Sequence, residues 1–188
     1  MLNKDIENLL WHLQDIKKGF LNGSLFYFFN SLSLIFAEKI MIIKRVDSSD
    51  IDFQNLVKFL DEDLAIRDGK DHAFYHQFNG IDLLKNCIVV YVDSIAVSCG
   101  AFKIFSEDTV EIKRMYTSPM QRGKGLAGKA LTELETWAKE SGFDRCVLET
   151  GIMQPEAIAL YEKMGYKRIP NYGQYIGIEN SVCYEKEI

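Results

Sequence analysis

The chain has 188 residues, of which 47% are hydrophobic and 26% are charged, and its formal net charge is −5. This length favours a single domain with a buried core, since domains commonly contain about 100 to 200 residues. The acidic balance argues against a nucleic-acid partner and mildly favours cationic substrates. The four cysteines are widely spaced and form no C-x-x-C pair, so we expect reduced, buried thiols in a cytoplasmic protein.

The first 40 residues are predicted to form a helical extension. Residues 3–18 repeat aliphatic side chains at helical spacing, with acidic residues early and lysines late. Residues 19–37 carry no charge and approach the length of a membrane span, which is about 20 residues. Because asparagines and serines interrupt this segment, we favour packing on the domain or on a second subunit, as in a homodimer, over a membrane tether. Initiation at Met41 is a third interpretation.

Residues 41–188 alternate between strand and helix patterns and are predicted to form one α/β domain. The expected elements are strands at 41–46, 87–92, 95–105, 109–117, 145–150 and 182–186, a further strand after residue 166, and helices that end near residues 69, 79, 142 and 165. The strands around residues 93 and 94 are expected to form a hairpin. His72 and His76 lie one helical turn apart, but no further ligand supports a metal site, and we predict none. This order of elements predicts a mixed sheet with helices on both faces.

Residues 109–130 combine a strand, a basic glycine-rich loop and the beginning of a helix. In the strand, Val110 and Ile112 alternate with charged residues until Arg114 and Met115 interrupt the pattern, which predicts a bulge or bend. The loop leads directly into an amphipathic helix. A helix N-terminus offers unpaired backbone N–H groups, and glycines let an anion approach the backbone closely. The pattern therefore predicts a phosphate-binding site.

Two well-known phosphate motifs overlap this loop but fit it poorly. Gly123, Gly125 and Gly128 spell G-x-G-x-x-G, but a proline-containing loop separates them from the strand, and that strand is charged. Residues 123–129 also match G-x-x-x-x-G-K, but Ala130 stands where a Ser or Thr would hold magnesium. We therefore favour neither a dinucleotide-binding fold nor a P-loop.

Two other runs in this domain resemble motifs of one enzyme superfamily. Residues 122–127 read R-G-K-G-L-A, in the form R-x-x-G-x-A, and residues 157–166 read A-I-A-L-Y-E-K-M-G-Y. The first run resembles motif A, the acyl-CoA pyrophosphate loop, of the GNAT superfamily of N-acetyltransferases, and the second is similar to motif B. The resemblance covers residues 41–188 and implies an α/β GNAT fold, in which helices flank a mixed central sheet whose strands splay to admit acetyl-CoA.

The resemblance also implies a function, an acetyl-CoA-dependent N-acetyltransferase that moves the acetyl group directly to a primary amine on a small molecule or peptide. Tyr161 occupies the position of the motif B tyrosine that often serves the CoA sulfur, and Glu111 lies where histone-type members have their general base. Without the resemblance, the spacing favours a packed aromatic at Tyr161, whereas Glu111 can equally be a solvated strand carboxylate paired with Lys113 or Arg114. The cofactor-binding residues implied are Met115, Tyr116, Thr117, Arg122, Gly123, Lys124, Gly125, Leu126 and Ala127, without a metal.

The sequence leaves the acceptor and two other functions open. Asp63, Asp68, Asp71, Tyr172 and Tyr175 are candidates to line an acidic, aromatic pocket for an amino acid, a polyamine or a peptide N-terminus. One other function is a CoA-binding regulatory module without turnover. The second is a membrane-tethered interaction protein built on the N-terminal extension.

Overall fold

The computed structural model describes residues 40–69, 75, 77, 79–82 and 84–188. Within these ranges the chain forms seven strands and three α-helices. In chain order they are β1 Met41–Val46, α1 Ile51–Asp68, β2 Asn86–Val92, β3 Ile95–Ile104, β4 Thr109–Thr117, α2 Leu126–Glu140, β5 Arg145–Gly151, α3 Pro155–Lys163, β6 Lys167–Ile169 and β7 Ser181–Glu187.

Several sequence predictions fall on residues that lie outside this description. They concern the N-terminal extension up to residue 39, including the uncharged segment 19–37, most of the short helix at 71–79, and both His72 and His76. Among the described residues, no group of three or more His, Cys, Asp or Glu side chains is arranged to hold a metal ion. No described helix combines the length and the hydropathy that a membrane crossing requires.

The seven strands form one sheet in the order β1-β2-β3-β4-β5-β7-β6. Only β4 and β5 pair in parallel, and the other neighbours are antiparallel. The predicted mixed sheet is therefore confirmed. The predicted hairpin between β2 and β3 is also confirmed, because Asp93 and Ser94 both have the positive φ angles, 51° and 67°, that the favoured two-residue hairpin turn requires.

Two hydrophobic cores cover opposite faces of the sheet. In β2, Ile88 and Val90 belong to the core that includes side chains of α2 and α3, whereas Cys87 and Val89 belong to the core that includes α1. Successive residues of a strand point to opposite faces, so a strand covered on both sides needs a continuous apolar run, as β2 has. Helices on both faces were predicted and are confirmed. The four cysteines are free thiols and are buried, as expected.

Strand β4 carries a β-bulge where the sequence pattern breaks. The pairing with β3 shifts from Cys99 opposite Tyr116 to Ala101 opposite Lys113, so that one residue of β3 faces two residues of β4. Arg114 lies in this bulge with a φ of 57°, in a region that costs a residue other than glycine about 1–2 kcal/mol. The bulge turns the side chains that follow it, and the candidate site described below begins at this point.

Gly100 of β3 lies opposite the bulge, in space that other side chains already fill. A Cβ atom there would overlap Met115 Sδ and lie 2.9 Å from Leu134 Cδ1. We expect Gly100→Ala to lower the free energy of unfolding by about 1–3 kcal/mol, because overpacking forces these side chains to move. Urea denaturation measures the change. Gly80→Ala is the matched control, since a Cβ at Gly80 meets no atom within 4 Å, and equal midpoints for both variants would contradict the prediction.

Candidate active site

A cleft opens where β4 and β5 separate. The two strands pair only at residues 109–111 and 145–147, so the backbone groups of β4 that face β5 beyond this point have no partner there. A cavity of about 340 Å³ lies against α1, the end of β4, the beginning of α2, and α3. A second cavity of about 80 Å³ adjoins it. The side chains that line both cavities are Leu60, Leu64, Met115, Gln154 and Tyr161.

The beginning of α2 faces the larger cavity and carries no side-chain cap. Its N-cap residue, Gly125, has a φ of 77°, and Gly123 has a φ of 75°. The first helical hydrogen bond runs from Lys129 N to Gly125 O at 3.1 Å, so the N–H groups of residues 126–128 have no partner within the helix. The first turn contains no acidic residue. This end of α2 therefore has the geometry and the positive potential that bind an anion.

Eight of the nine predicted cofactor-binding residues line the larger cavity. They are Met115, Tyr116, Thr117, Arg122, Gly123, Gly125, Leu126 and Ala127. The ninth, Lys124, does not line it, because its Nζ donates to Met120 O and to Gln121 Oε1, both at 2.8 Å. The Lys124 side chain thus stabilises the loop that precedes α2. The loop brings one predicted cation, Arg122, to the cavity.

Arg122 takes part in a chain of ion pairs along the larger cavity. Its Nε donates to Thr117 O at 3.0 Å, and its Nη2 to Asp63 Oδ2 at 3.1 Å. Arg67 donates to Asp63 at 3.1 Å and contacts Glu156 Oε1 at 2.6 Å. Burial raises the pKa of Asp63, but the hydrogen bonds from Arg67 and Arg122 outweigh it and hold this pKa below its usual value. Asp63 therefore stays ionised at neutral pH and orients both guanidinium groups.

Tyr161 of α3 lines both cavities and is also packed in the core. Its side chain is 5% exposed, and its ring centroid lies 5.8 Å from that of Tyr166 and 6.3 Å from that of Tyr184. Burial, with a further contribution from the charge of Glu149, raises the pKa of the Tyr161 phenol well above its ordinary value. The phenol is therefore protonated at neutral pH. The two interpretations of Tyr161, a packed aromatic and a site residue, are compatible.

Glu111 is buried in a polar cluster and lines neither of these two cavities. The residue is 1% exposed, and its carboxylate contacts Lys103 Nζ at 2.9 Å and Lys113 Nζ at 3.4 Å. Tyr172 Oη donates to Glu111 Oε1 at 3.2 Å. The interpretation of Glu111 as a solvated carboxylate is wrong, because the polar cluster replaces the solvent. Its pairing with Lys113 is confirmed.

The smaller cavity contains charged residues that sequence reasoning did not assign to a site. Lys113, Arg114 and Glu149 line it, with polar groups from Tyr75, Asn79, Thr150 and Gln154. Glu149 lies two residues after the part of β5 that pairs with β4, and this position is the signal that could have identified it. Ser181 Oγ donates to Glu149 Oε1 at 2.6 Å, which orients the carboxylate.

The acidic, aromatic pocket predicted for the acceptor does not form as expected. Tyr172 belongs to the polar cluster around Glu111, and Tyr175 lies beside Lys113, with 3.2 Å between Tyr175 Oη and Lys113 Nζ. Neither tyrosine lines the two cavities. Asp63 lines the larger cavity instead of the smaller one, while Asp71 and the side chain of Asp68 lie outside the described residues. The charged residues that line the two cavities come from several elements, and their convergence is a property of the tertiary structure.

A mixed sheet that splits beside an uncapped, glycine-preceded helix belongs to an α/β protein whose cleft has the geometry to bind an anionic ligand. The family model described as "Acetyltransferase (GNAT) family" matches residues 54–166, which is more than half of the chain. The chain therefore belongs to the GNAT acetyltransferase family, and the GNAT fold expected from the sequence is confirmed.

Known proteins similar to this chain agree with the family. An acyl-CoA N-acyltransferase structure from Klebsiella pneumoniae is 29% identical, has a TM-score of 0.67, and aligns over 79% of this chain and 97% of its own. A Thermoplasma acidophilum N-acetyltransferase, solved with coenzyme A, has the same fold, with a TM-score of 0.60, 18% identity, and coverage of 79% of this chain and 99% of its own. The uncharacterised N-acetyltransferase YjgM of Escherichia coli is 48% identical over 62 residues, which are 33% of this chain and 37% of that relative's length.

Proposed function

We propose that this chain is an acetyl-CoA-dependent N-acetyltransferase that moves the acetyl group directly to a primary amine. The observation that carries the proposal is the uncapped beginning of α2, which opens on a cavity of about 340 Å³ that reaches Tyr161. Family membership and the names of the relatives support it. We also propose that the protein acts in the cytoplasm, where thiols stay reduced, and its four free cysteines support this.

The larger cavity fits the donor substrate. The N–H groups of residues 126–128 and the guanidinium of Arg122 would bind the pyrophosphate of acetyl-CoA, whose thioester supplies the activated acetyl group. The backbone N–H groups of β4 around residues 115–117, where β5 no longer pairs with β4, would hold the pantetheine arm and bind the thioester carbonyl oxygen. Arg122 is already oriented by Asp63 and Thr117, so little side-chain entropy remains to be lost on binding.

Acetyl transfer requires two proton movements in the adjoining cavity. For an alkylamine with a pKa of ~10.4, the protonated form outnumbers the free amine about a thousandfold at neutral pH. Forming the nucleophilic free amine therefore costs about 4 kcal/mol. The amine nitrogen forms a bond to the acetyl carbon, the carbon–sulfur bond breaks, the amine loses a proton, and the sulfur gains one. A base must therefore face the amine, and an acid must face the sulfur.

We assign the acid to Tyr161 and the base to Glu149. Tyr161 lines both cavities, and its raised pKa keeps the phenol protonated until the sulfur departs. Glu149 lines the smaller cavity and is oriented by Ser181. Glu111, which the superfamily resemblance implies as the base, has its oxygens held by Lys103, Lys113 and Tyr172. We propose that Glu111 instead positions Lys113 and Tyr172.

The two glutamates are distinguished by the pH dependence of their variants. We expect Glu149→Gln to lower the rate at neutral pH by about 10- to 100-fold and to recover as pH rises, because more of the amine is then already deprotonated. Glu111→Gln is the matched control, and its loss should be smaller and independent of pH. A pH-rate series on one amine measures both. Recovery in Glu111→Gln with a parallel profile in Glu149→Gln would return the base assignment to Glu111.

The function itself is tested by calorimetric titration with acetyl-CoA and by a thiol-release assay across a panel of amines. We expect acetyl-CoA to bind and at least one primary amine to accelerate thiol release, with a stoichiometric N-acetyl product seen by mass spectrometry. Binding without release for any amine would instead favour the regulatory module. Flotation with vesicles tests the membrane-tethered alternative, which depends on the N-terminal extension.

A further inference from the structure

Arg114 lines the smaller cavity and carries a buried hydrogen-bond donor without a partner among the described residues. Its side chain is 5% exposed and lines that cavity, and its Nη1 donates to Asp61 Oδ1 at 2.7 Å. Among the described residues, no hydrogen-bond partner is found for Arg114 Nε. A buried N–H of a charged group without a partner is costly, so such groups are normally satisfied by protein, by solvent or by a ligand. The Arg114 guanidinium therefore keeps unused hydrogen-bonding capacity beside the cavity, which an acceptor atom of a ligand could satisfy.

Lys113 adds a second cation to the same cavity. Its side chain is 12% exposed, and its Nζ contacts Glu111 Oε1 at 3.4 Å and Tyr175 Oη at 3.2 Å. These two contacts leave one of its three N–H groups for a ligand. Burial lowers the pKa of Lys113, so an anion beside it would restore the stability of its charged form. Two neighbouring cations of one strand thus favour a negative ligand group.

We propose that the acceptor is an amine that also carries a carboxylate, in the manner of a free amino acid, with the carboxylate bound by Arg114 and Lys113 and the amine facing Glu149. This inference rests on the proposed function and names the substrate class of the same site. The charges of the cavity complement such a zwitterion, since the two cations of β4 and the carboxylate of β5 belong to different strands that meet at the cavity.

The same charges disfavour the other acceptor classes that the sequence leaves open. A polyamine would bring a second ammonium group to a cavity that already contains Lys113 and Arg114. A peptide N-terminus has a neutral amide where a free amino acid has its carboxylate, so it would bring no anion to the two cations that line the cavity. The positive φ of Arg114 agrees with a role for its side chain in binding, because strained backbone conformations occur mainly at functional sites.

Matched substrate pairs test the proposal on the wild-type protein. Glycine and L-alanine are compared with glycinamide and L-alaninamide, with aminomethylphosphonate as a second anion and putrescine as a polyamine. We expect kcat/KM to be about 10- to 100-fold higher for the carboxylates than for their amides, because a charge-assisted hydrogen bond is lost in the amide. Higher activity with the phosphonate than with the carboxylates would assign the site to phosphoryl anions and overturn the carboxylate. Equal or higher kcat/KM for the amides or putrescine overturns the proposal, while the acetyltransferase function stands.

Two variants locate the effect at Arg114. Arg114→Gln should remove the preference for carboxylates by raising their KM. Asp61→Asn changes the ion-pair partner of Arg114, which does not line the cavity, and should retain the preference. If no amine is acetylated, the proposed function fails. The anion site is then tested separately, by comparing the calorimetric affinities of N-acetylglycine and N-acetylglycinamide. Tighter binding of the acid that is lost in Arg114→Gln supports the site. Equal binding of the two compounds overturns it.

Discussion

Tyr161→Phe is expected to lower kcat by about 10- to 1,000-fold with little change in the affinity for acetyl-CoA. The substitution removes one hydroxyl and keeps the ring that packs against Tyr166 and Tyr184. The sulfur then leaves without a proton donor, so the loss falls on the chemical step rather than on binding. Steady-state thiol release and calorimetric titration separate these two quantities.

The neighbouring Tyr166 supplies the matched control for this prediction. It belongs to the same aromatic cluster and is equally buried, but it does not line either cavity described above. Tyr166→Phe should therefore leave kcat near the wild-type value. Tyr161→Phe should also show no recovery at high pH, in contrast to Glu149→Gln. A wild-type kcat in Tyr161→Phe would contradict the role of Tyr161 as the acid and leave it a role in packing alone.

Gly125→Asp is expected to weaken acetyl-CoA binding by at least about 100-fold, because it adds a negative charge beside the pyrophosphate site. Two like charges about 4 Å apart near a protein surface repel by roughly 4 kcal/mol, which is enough for this loss. The positive φ of 77° adds backbone strain for any residue with a Cβ. Calorimetric titration with acetyl-CoA measures the effect, and circular dichroism checks the fold.

Gly125→Asn and Gly142→Asp separate the contributions of charge, shape and strain. Asparagine has the shape of aspartate without its charge and tolerates the left-handed region, so Gly125→Asn should bind acetyl-CoA far better than Gly125→Asp. Gly142 lies after the other end of α2 with a φ of 91°, so Gly142→Asp reproduces the strain and the charge away from the cleft. Unchanged affinity in a folded Gly125→Asp protein would remove α2 from the binding site.

Local sequence patterns predict much of this fold, because each pattern lies within a single strand, turn or helix. The break in alternation at Arg114 and Met115 marks the bulge, and the turn residues Asp93 and Ser94 mark the hairpin. The glycines at 123 and 125 mark the beginning of α2, because their positive φ angles exclude most other residues. Each prediction depended on neighbours in sequence, and the described structure confirms each element. The N-terminal extension, including its role in a homodimer or at a membrane, stays a prediction.

The sequence by itself determined the order of the elements, the phosphate-type loop and the position of Tyr161 on its helix. Only the tertiary structure decided which charges face the cleft. Alternation along β4 assigns side chains to one face or the other, but it does not say where β5 separates from β4 or what covers each face. That long-range geometry buries Glu111 among Lys103, Lys113 and Tyr172, and brings Arg114 and Glu149 to one cavity.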